Sequence, residues 1–192
     1  MNRETPSLDA SDRSLIERLA KADQGALRTL MSRHQAKVFR FIARRVANDA
    51  LAEELTNEVF MDAWRHAASY EGRSQVSTWL LSIAHNRAVS SLRKRREQGW
   101  DDDKAAAIAD DADDPEVVAQ KADKGAVMRR CLDSLSAEHK EIIDLVYYHE
   151  LAVAEVAAVL SIPEATVKTR MFYARKKLSE ILKANGVDRG WP

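Results

Sequence analysis

Apolar residues recur at helical spacing through the first half of the chain, with polar residues at the positions between them. Residues at i, i+3, i+4 and i+7 share one face of an α-helix, so this spacing predicts amphipathic helices packed on a common core. The pattern predicts a short helix after Ser11-Asp12 and longer helices over about residues 27–46, 51–64 and 79–96. One clear break, at residues 69–74, interrupts the block.

The periodicity is lost in the middle of the chain, where aspartates are mixed with alanines. This composition predicts an acidic, mobile linker with one helical turn near Val117–Ala122. Helical spacing resumes at about Ala126 and ends in a helix from about Pro163 to Leu182, with no convincing strand period. We therefore predict an all-α protein with two helical lobes. Its parts are an N-terminal tail (1–11), a first lobe (12–96), the linker (97–125), a second lobe (126–184) and a C-terminal tail (185–192).

Composition narrows the class of protein. The chain has 192 residues, of which 45 % are hydrophobic and 31 % are charged, as in ordinary globular proteins. No run approaches the roughly 18 apolar residues of a membrane span, and the N-terminus does not resemble a signal peptide, so we expect a cytoplasmic protein. The single cysteine, Cys131, excludes an internal disulfide, and its apolar neighbours predict a core residue. Without metal-ligand spacing or a nucleophile–base set, neither a cofactor nor an enzyme is expected.

The net charge of zero conceals a segregation of charge along the chain. Residues 26–96 carry 13 basic and 6 acidic side chains, whereas residues 97–125 carry 3 basic and 10 acidic ones. The zero sum therefore does not exclude a nucleic-acid partner. A solvated tether is the simpler interpretation of the acidic segment, and mimicry of nucleic acid is the alternative.

The second lobe contains a helix-turn-helix pattern at Val153–Val167. Ser161-Ile162-Pro163-Glu164 matches a capping box with proline in the first turn of the second helix. The exposed face of that helix combines cations suited to phosphates with hydroxyls and aromatic rings suited to base edges. We interpret it as a DNA-reading face, with a merely solvated surface as the alternative.

Two features of the first lobe are harder to explain with an ordinary repressor. Glu54, Asn57, Glu58 and Met61 follow an i, i+3, i+4, i+7 course and form a largely acidic stripe, which suits a basic protein surface. Taken alone, this segment is explained more simply as a solvated helix face. A polar loop that contains Gly72 then precedes a helix rich in amide and cationic side chains. Such a combination suits capture of an extruded base.

These motifs and their order resemble those of the extracytoplasmic-function sigma factors of bacterial RNA polymerase. The resemblance is carried by residues 54–60 (ELTNEVF), residues 78–86 (TWLLSIAHN), the acidic linker and the helix-turn-helix, and it covers about residues 12–184. It implies that the first lobe corresponds to sigma region two and the second to region four. The partners it implies are core RNA polymerase, through the clamp helices of the largest subunit and the flap region, promoter DNA and an anti-sigma factor.

The resemblance also implies roles for individual residues. The residues that dock on polymerase are Glu54, Asn57, Glu58 and Met61, where Asn57 replaces the usual glutamine. The −10 element is melted and held by Tyr70, Glu71, Gly72, Arg73, Ser74, Asn86, Arg87, Ser90, Arg93, Lys94 and Arg95, of which the loop and Asn86 trap a flipped base and Arg87, Arg93, Lys94 and Arg95 hold the backbone. The −35 element is read by Thr166, Lys168, Thr169, Arg170, Phe172, Tyr173 and Lys176, where Tyr173 replaces a frequent arginine.

Two other function classes are weighed against this interpretation. A regulator that binds DNA on its own would use the same helix-turn-helix without needing core polymerase. A helical adaptor would bind only proteins, and its basic surfaces would be incidental. Loss of promoter function on replacement of Lys168 and Tyr173 would exclude the adaptor.

Overall fold

The computed structural model describes residues 8–99, 128 and 130–185, with side chains from Ser11 onward. Every described element is helical, which confirms the predicted all-α class for these residues. The linker predictions, including the helical turn near Val117–Ala122 and the helical restart at about Ala126, lie outside the described residues. The described helices form two groups along the chain, a first unit before residue 100 and a second unit after residue 129.

The first unit consists of four α-helices and one short 3-10 turn. The helices are α1 (Leu8–Leu19), α2 (Gln24–Val46), α3 (Asp49–His66) and α4 (Val76–Glu97), and the 3-10 turn spans Ala67–Ser69. Helix α2 packs against α1, α3 and α4, and α3 also packs against α4. The break that the sequence predicts after residue 69 is the loop between the 3-10 turn and α4.

Local chemistry explains where α2 and α3 begin. The carboxylate of Asp23 accepts hydrogen bonds from the N–H of Gly25 at 2.8 Å and of Ala26 at 3.2 Å, which caps α2. The side chain of Asn48 caps α3 by accepting a bond from the N–H of Leu51 at 2.9 Å. Between the two helices Ala47 has φ 52°, so the chain turns within two residues.

Helix α1 begins earlier than the sequence predicts, because Asp12 lies inside the helix and does not precede it. Its carboxylate is 6 % exposed and accepts bonds from Arg33 and His34 of α2, both at 2.7 Å. Apolar side chains of α1, such as Ile16 and Leu19, are also buried. A polar cluster and an apolar contact thus join α1 to α2.

The second unit contains α5 (Ala137–Ile143), which continues as one π-helical turn (Asp144–Tyr148), followed by α6 (Val153–Leu160) and α7 (Glu164–Ala184). Residues 130–133 form a further helical turn. Helices α5 and α7 pack on each other. One buried apolar cluster of the unit contains Cys131, Leu135, Ile143, Ala174, Leu178 and Leu182. Cys131 is 1 % exposed, which confirms its prediction as a core residue.

The capping box predicted at residues 161–164 is wrong. Pro163 is the N-cap of α7, and no side chain caps this end. Ser161 instead has φ 54°, and the N–H of Ile162 donates to the carbonyl of Ala157 at 3.1 Å. Because Ser161 ends α6 in the left-handed conformation, it does not occupy the extended N-cap position of the next helix.

Candidate functional site

A shallow groove of about 330 Å³ runs along the outer face of α3. The predicted polymerase-binding residues Glu54, Asn57, Glu58 and Met61 all line it, which confirms that they share one face. Arg65 and Arg87 complete the lining, and we call these six residues the acidic groove. The lining combines two carboxylates, one amide and two guanidiniums with the apolar side chain of Met61, which is 48 % exposed.

An ion-pair network forms one wall of the acidic groove. The guanidinium of Arg87, on α4, donates through Nε to Oδ2 of Asp62 at 2.5 Å and through Nη1 to Oε2 of Glu58 at 3.0 Å. Arg65 contacts the other oxygen of Asp62 at 3.3 Å. The pKa of Arg87 is raised above its ordinary value, mainly because Asp62 accepts its hydrogen bond. The sequence predicts Arg87 as a DNA contact, whereas the structure directs its guanidinium to two carboxylates of α3.

Asp62 and Arg65 are residues of this site that sequence reasoning missed. Asp62 is 8 % exposed, although it is charged and borders an exposed groove. It lies one helical turn after Glu58, so the i, i+4 spacing in the sequence was a usable signal. The pairing of Asp62 with Arg87 could not be predicted from helical spacing, because 25 residues separate them along the chain.

The loop between the 3-10 turn and α4 contains the residues predicted to capture a flipped base. The hydroxyl of Tyr70 donates to the carbonyl of Ser74 at 2.6 Å, and its ring lies 5.0 Å from that of Trp79 in the first turn of α4. Gly72 has φ 69°, a conformation that favours glycine. Glu71 and Arg73 form an exposed ion pair. The loop is therefore closed on itself and anchored to the helix that follows.

Further along α4, the structure exposes most of the polar residues assigned to the −10 element. Asn86, Ser90, Arg93 and Lys94 are exposed, whereas Arg95 is partly buried. Arg93 lies 3.9 Å from Glu97, one turn away, which is a weak and solvent-screened contact. These side chains form an amide- and cation-rich surface on α4, the helix that follows the closed loop.

Helix α7 presents the predicted DNA-reading face. Phe172 and Tyr173 are 59 % and 53 % exposed, and their rings meet edge to face at 5.4 Å. Three of the face's predicted residues make contacts with acidic or backbone groups: the Thr169 hydroxyl donates to the Ala165 carbonyl at 2.9 Å, Arg170 lies 3.3 Å from Glu138, and Lys168 lies 3.9 Å from Glu164. Thr169 and Arg170 also line a shallow depression of about 250 Å³ with Ala165 and Thr166. Lys168 and Lys176 are exposed beside them.

Within residues 8–99 and 130–185 the side chains do not offer a metal site. No three histidine, cysteine, aspartate or glutamate side chains of this part of the chain are grouped to hold an ion. Among its helices, none is both long enough and apolar enough to cross a membrane.

Comparisons with known proteins identify both lobes. The model of Sigma-70 region 2 matches residues 30–98, and that of Sigma-70, region 4 matches residues 131–180. The ECF RNA polymerase sigma factor SigK of Mycobacterium bovis is 32 % identical over 186 residues, which cover 92 % of this chain and 96 % of that protein. SigK of Mycolicibacterium vanbaalenii is 32 % identical over 170 residues, which cover 87 % of this chain and 85 % of that protein.

A solved structure agrees with these matches. The sigma factor RpoE of Bartonella quintana, crystallised with the anti-sigma factor NepR, aligns with a TM-score of 0.67 and 26 % identity over 84 % of this chain and 98 % of that chain. Family models, relatives and fold therefore all point to one class of protein. The chain belongs to the extracytoplasmic-function sigma factors, and it is a promoter-recognition subunit that binds core RNA polymerase and directs transcription initiation, not an enzyme.

Proposed function

We propose that the acidic groove docks on the clamp helices of the largest polymerase subunit, while α4 with its preceding loop and α7 handle the two promoter elements. The observation that carries this proposal is the convergence of Glu54, Asn57, Glu58 and Met61 on one groove. Residues 26–96 are otherwise basic, and the groove offers the carboxylates of Glu54 and Glu58 to a partner, because the guanidiniums of Arg65 and Arg87 both contact Asp62.

The chemistry of the acidic groove suits a basic helical partner. Glu54 and Asn57 are exposed, and Glu58 is partly exposed, so their side chains are accessible to lysine or arginine donors. Met61 supplies a flexible apolar contact at the end of the stripe. Electrostatic complementarity of this kind fixes orientation and speeds association, and its contribution falls as salt concentration rises.

The loop at residues 70–76 and Asn86 capture a base of the −10 element. Unstacking a base costs a few kcal/mol, which stacking and hydrogen bonds in a prepared pocket offset. The Tyr70–Ser74 bond reduces the entropy cost of ordering the loop when DNA arrives. The exposed cations Arg93 and Lys94 hold the strand by its phosphates.

The exposed face of α7 reads the −35 element in the major groove. Phe172 and Tyr173 present apolar edges to thymine methyl groups, and the Tyr173 hydroxyl is able to bond to a base edge. Lys168 and Lys176 pair with phosphates. Of the remaining predicted contacts, Thr166, Thr169 and Arg170 border the depression on the same helix.

We also propose that the protein acts in the cytoplasm and is held inactive by an anti-sigma factor that covers the acidic groove. Its relative RpoE of Bartonella quintana was solved with an anti-sigma factor. Competition between that partner and core polymerase for one surface would make release of the anti-sigma factor the activating step.

Run-off transcription with core polymerase over a library of genomic fragments tests the proposal and reveals both promoter elements. Glu54→Gln should reduce binding to core polymerase, and Glu53→Gln is its matched control, because Glu53 is equally charged and exposed but lies outside the groove. Lys168→Ala should reduce promoter binding, with Lys177→Ala as the control on the same helix. If a variant and its control reduced binding equally, the assignment of that surface would be contradicted.

Binding and transcription assays with and without core polymerase distinguish a sigma factor from a regulator that binds DNA on its own. The free protein should bind a −35 duplex weakly and should produce transcripts only with core enzyme. Tight, sequence-specific binding by the free protein, with no transcript when core is added, would contradict the proposal.

A further inference from the structure

We propose that Arg87 is a positioning residue for polymerase binding: from α4 it holds Glu58 of the acidic groove in its docking geometry, and it does not contact the DNA backbone. The inference rests on the proposed function of the acidic groove and deepens it. It also assigns a role to Asp62, which anchors Arg87 between the two helices.

The geometry gives each part of the guanidinium a carboxylate partner. Nε and Nη2 of Arg87 both contact Oδ2 of Asp62 at 2.5 Å, and Nη1 contacts Oε2 of Glu58 at 3.0 Å. Charge-assisted bonds of this kind are stronger than neutral ones and restrict the orientation of the planar group. Arg87 is 35 % exposed, so its charge is only partly screened by water.

Asp62 explains why Arg87 stays on this side of α4. Its side chain is 11 % exposed, and its remaining oxygen contacts Arg65 at 3.3 Å. Turning Arg87 toward a DNA phosphate would leave the Asp62 carboxylate with only this longer contact while it is largely buried. Leaving a buried charge without its close partner is costly, so the inward orientation is favoured.

The bond from Arg87 restricts the side chain of Glu58. Its side chain is 41 % exposed, so without a partner it would sample several rotamers in solvent. The bond from Arg87 orders Glu58 before polymerase arrives, which lowers the entropy cost of docking. Arg87 also follows Asn86 directly in α4, so the network joins the helix of the base-capture residues to the polymerase-binding groove.

The decisive measurement is the dissociation constant for core polymerase. Arg87→Ala should weaken binding by about tenfold, the effect of losing one ordered, charge-assisted contact. Arg65→Ala is the matched control, because it removes the same charge from the same groove and also contacts Asp62. If only charge mattered, both substitutions would act alike and would strengthen binding to a basic partner. If Arg87 orders Glu58, only Arg87→Ala weakens binding.

A double-mutant cycle with Glu58→Gln separates this role from others. Once Glu58→Gln has removed the carboxylate, Arg87→Ala should cause little further loss. The variant Asp62→Ala/Arg87→Ala removes the buried Asp62 carboxylate together with its close partner, so it should keep a melting temperature near that of the unaltered protein and still bind core as weakly as Arg87→Ala. That variant keeps the test valid if Arg87→Ala alone folds poorly.

The DNA alternative has its own measurement. Holoenzyme, assembled at saturating core, is bound to a forked −10 DNA over a range of salt concentrations. A phosphate contact by Arg87 would make the slope of log K against log salt shallower by about 0.7–0.9 in Arg87→Ala, whereas we expect no change. A shallower slope, or core binding in Arg87→Ala as tight as in Arg65→Ala, would overturn the inference. If Glu58→Gln itself leaves core binding unaltered, the proposed function of the groove fails, and the inference fails with it.

Discussion

The junction between α1 and α2 offers a direct test of how a buried ion cluster supports this fold. Asp12→Ala removes the carboxylate that accepts bonds at 2.7 Å from both Arg33 and His34. Asp12 is 5 % exposed, so water does not replace it easily. We expect the substitution to loosen α1 from α2 and to lower the free energy of unfolding of the first lobe.

The expected magnitude follows from the two contacts. A charge-assisted bond contributes about 1.5–3 kcal/mol, but Arg33 is one third exposed and its bond is discounted for solvent screening. The His34 side chain is 13 % exposed, and it loses a partner that solvent replaces only in part. We therefore expect a loss of about 2–3 kcal/mol in total, a large part of the stability of a small domain.

Urea unfolding followed by tryptophan fluorescence measures this loss. Trp64 and Trp79 report on the first lobe, and replacing Trp100 and Trp191 by phenylalanine removes the other signals. Glu17→Ala is the control, because Glu17 is an exposed acidic residue of the same helix and should change stability by less than about 0.5 kcal/mol. If Asp12→Ala and Glu17→Ala have equal effects, the ion cluster does not stabilise the junction.

Three further predictions concern single positions. Gly72→Ala should lower the free energy of unfolding of the first lobe by about 1 kcal/mol, because φ at Gly72 is 69°. It should also slow promoter melting, followed by permanganate footprinting, more than it weakens binding to the −35 element. Cys131→Ser should lower the free energy of unfolding of the second lobe by about 1–2 kcal/mol, because it buries a hydroxyl in an apolar core. The pKa of Asp23 is lowered mainly by its hydrogen bond from Arg18, and then by the backbone N–H of Ala26. Its stabilising contribution is therefore present above its ordinary pKa of 3.8, is lost as pH falls through the lower folded value, and should disappear from the acid-unfolding profile of Asp23→Asn.

Each of these predictions has its own control. Gly72→Asn should be milder than Gly72→Ala, since asparagine tolerates the left-handed conformation, and equal rates of melting would refute the strain argument. Cys131→Ala, which leaves a small cavity but no buried hydroxyl, isolates the polar penalty in Cys131→Ser. For Asp23, an acid-unfolding profile of Asp23→Asn that overlays the unaltered one would show that the carboxylate charge has no role at this cap.

The sequence alone predicted the long helices of the first lobe and the faces that they expose, although it placed the start of α1 too late. Apolar spacing predicted the long helices of the first lobe, because burial on one side imposes a 3.6-residue period that remains visible in the primary structure. It also placed Glu54, Glu58 and Met61 on one stripe, because residues of a single helix share a face by spacing alone. The structure brings the same residues into one groove.

Only the tertiary structure decided what lies across from those faces. Asp62 meets Arg87, and Asp12 meets Arg33 and His34, because α3 packs on α4 and α1 on α2. Such pairs join residues more than 20 positions apart, and no periodicity within one helix encodes them. Spacing along one helix thus determined which residues share a surface, whereas packing between helices decided which residues meet across it, as where the guanidinium of Arg87 on α4 contacts Asp62 and Glu58 on α3.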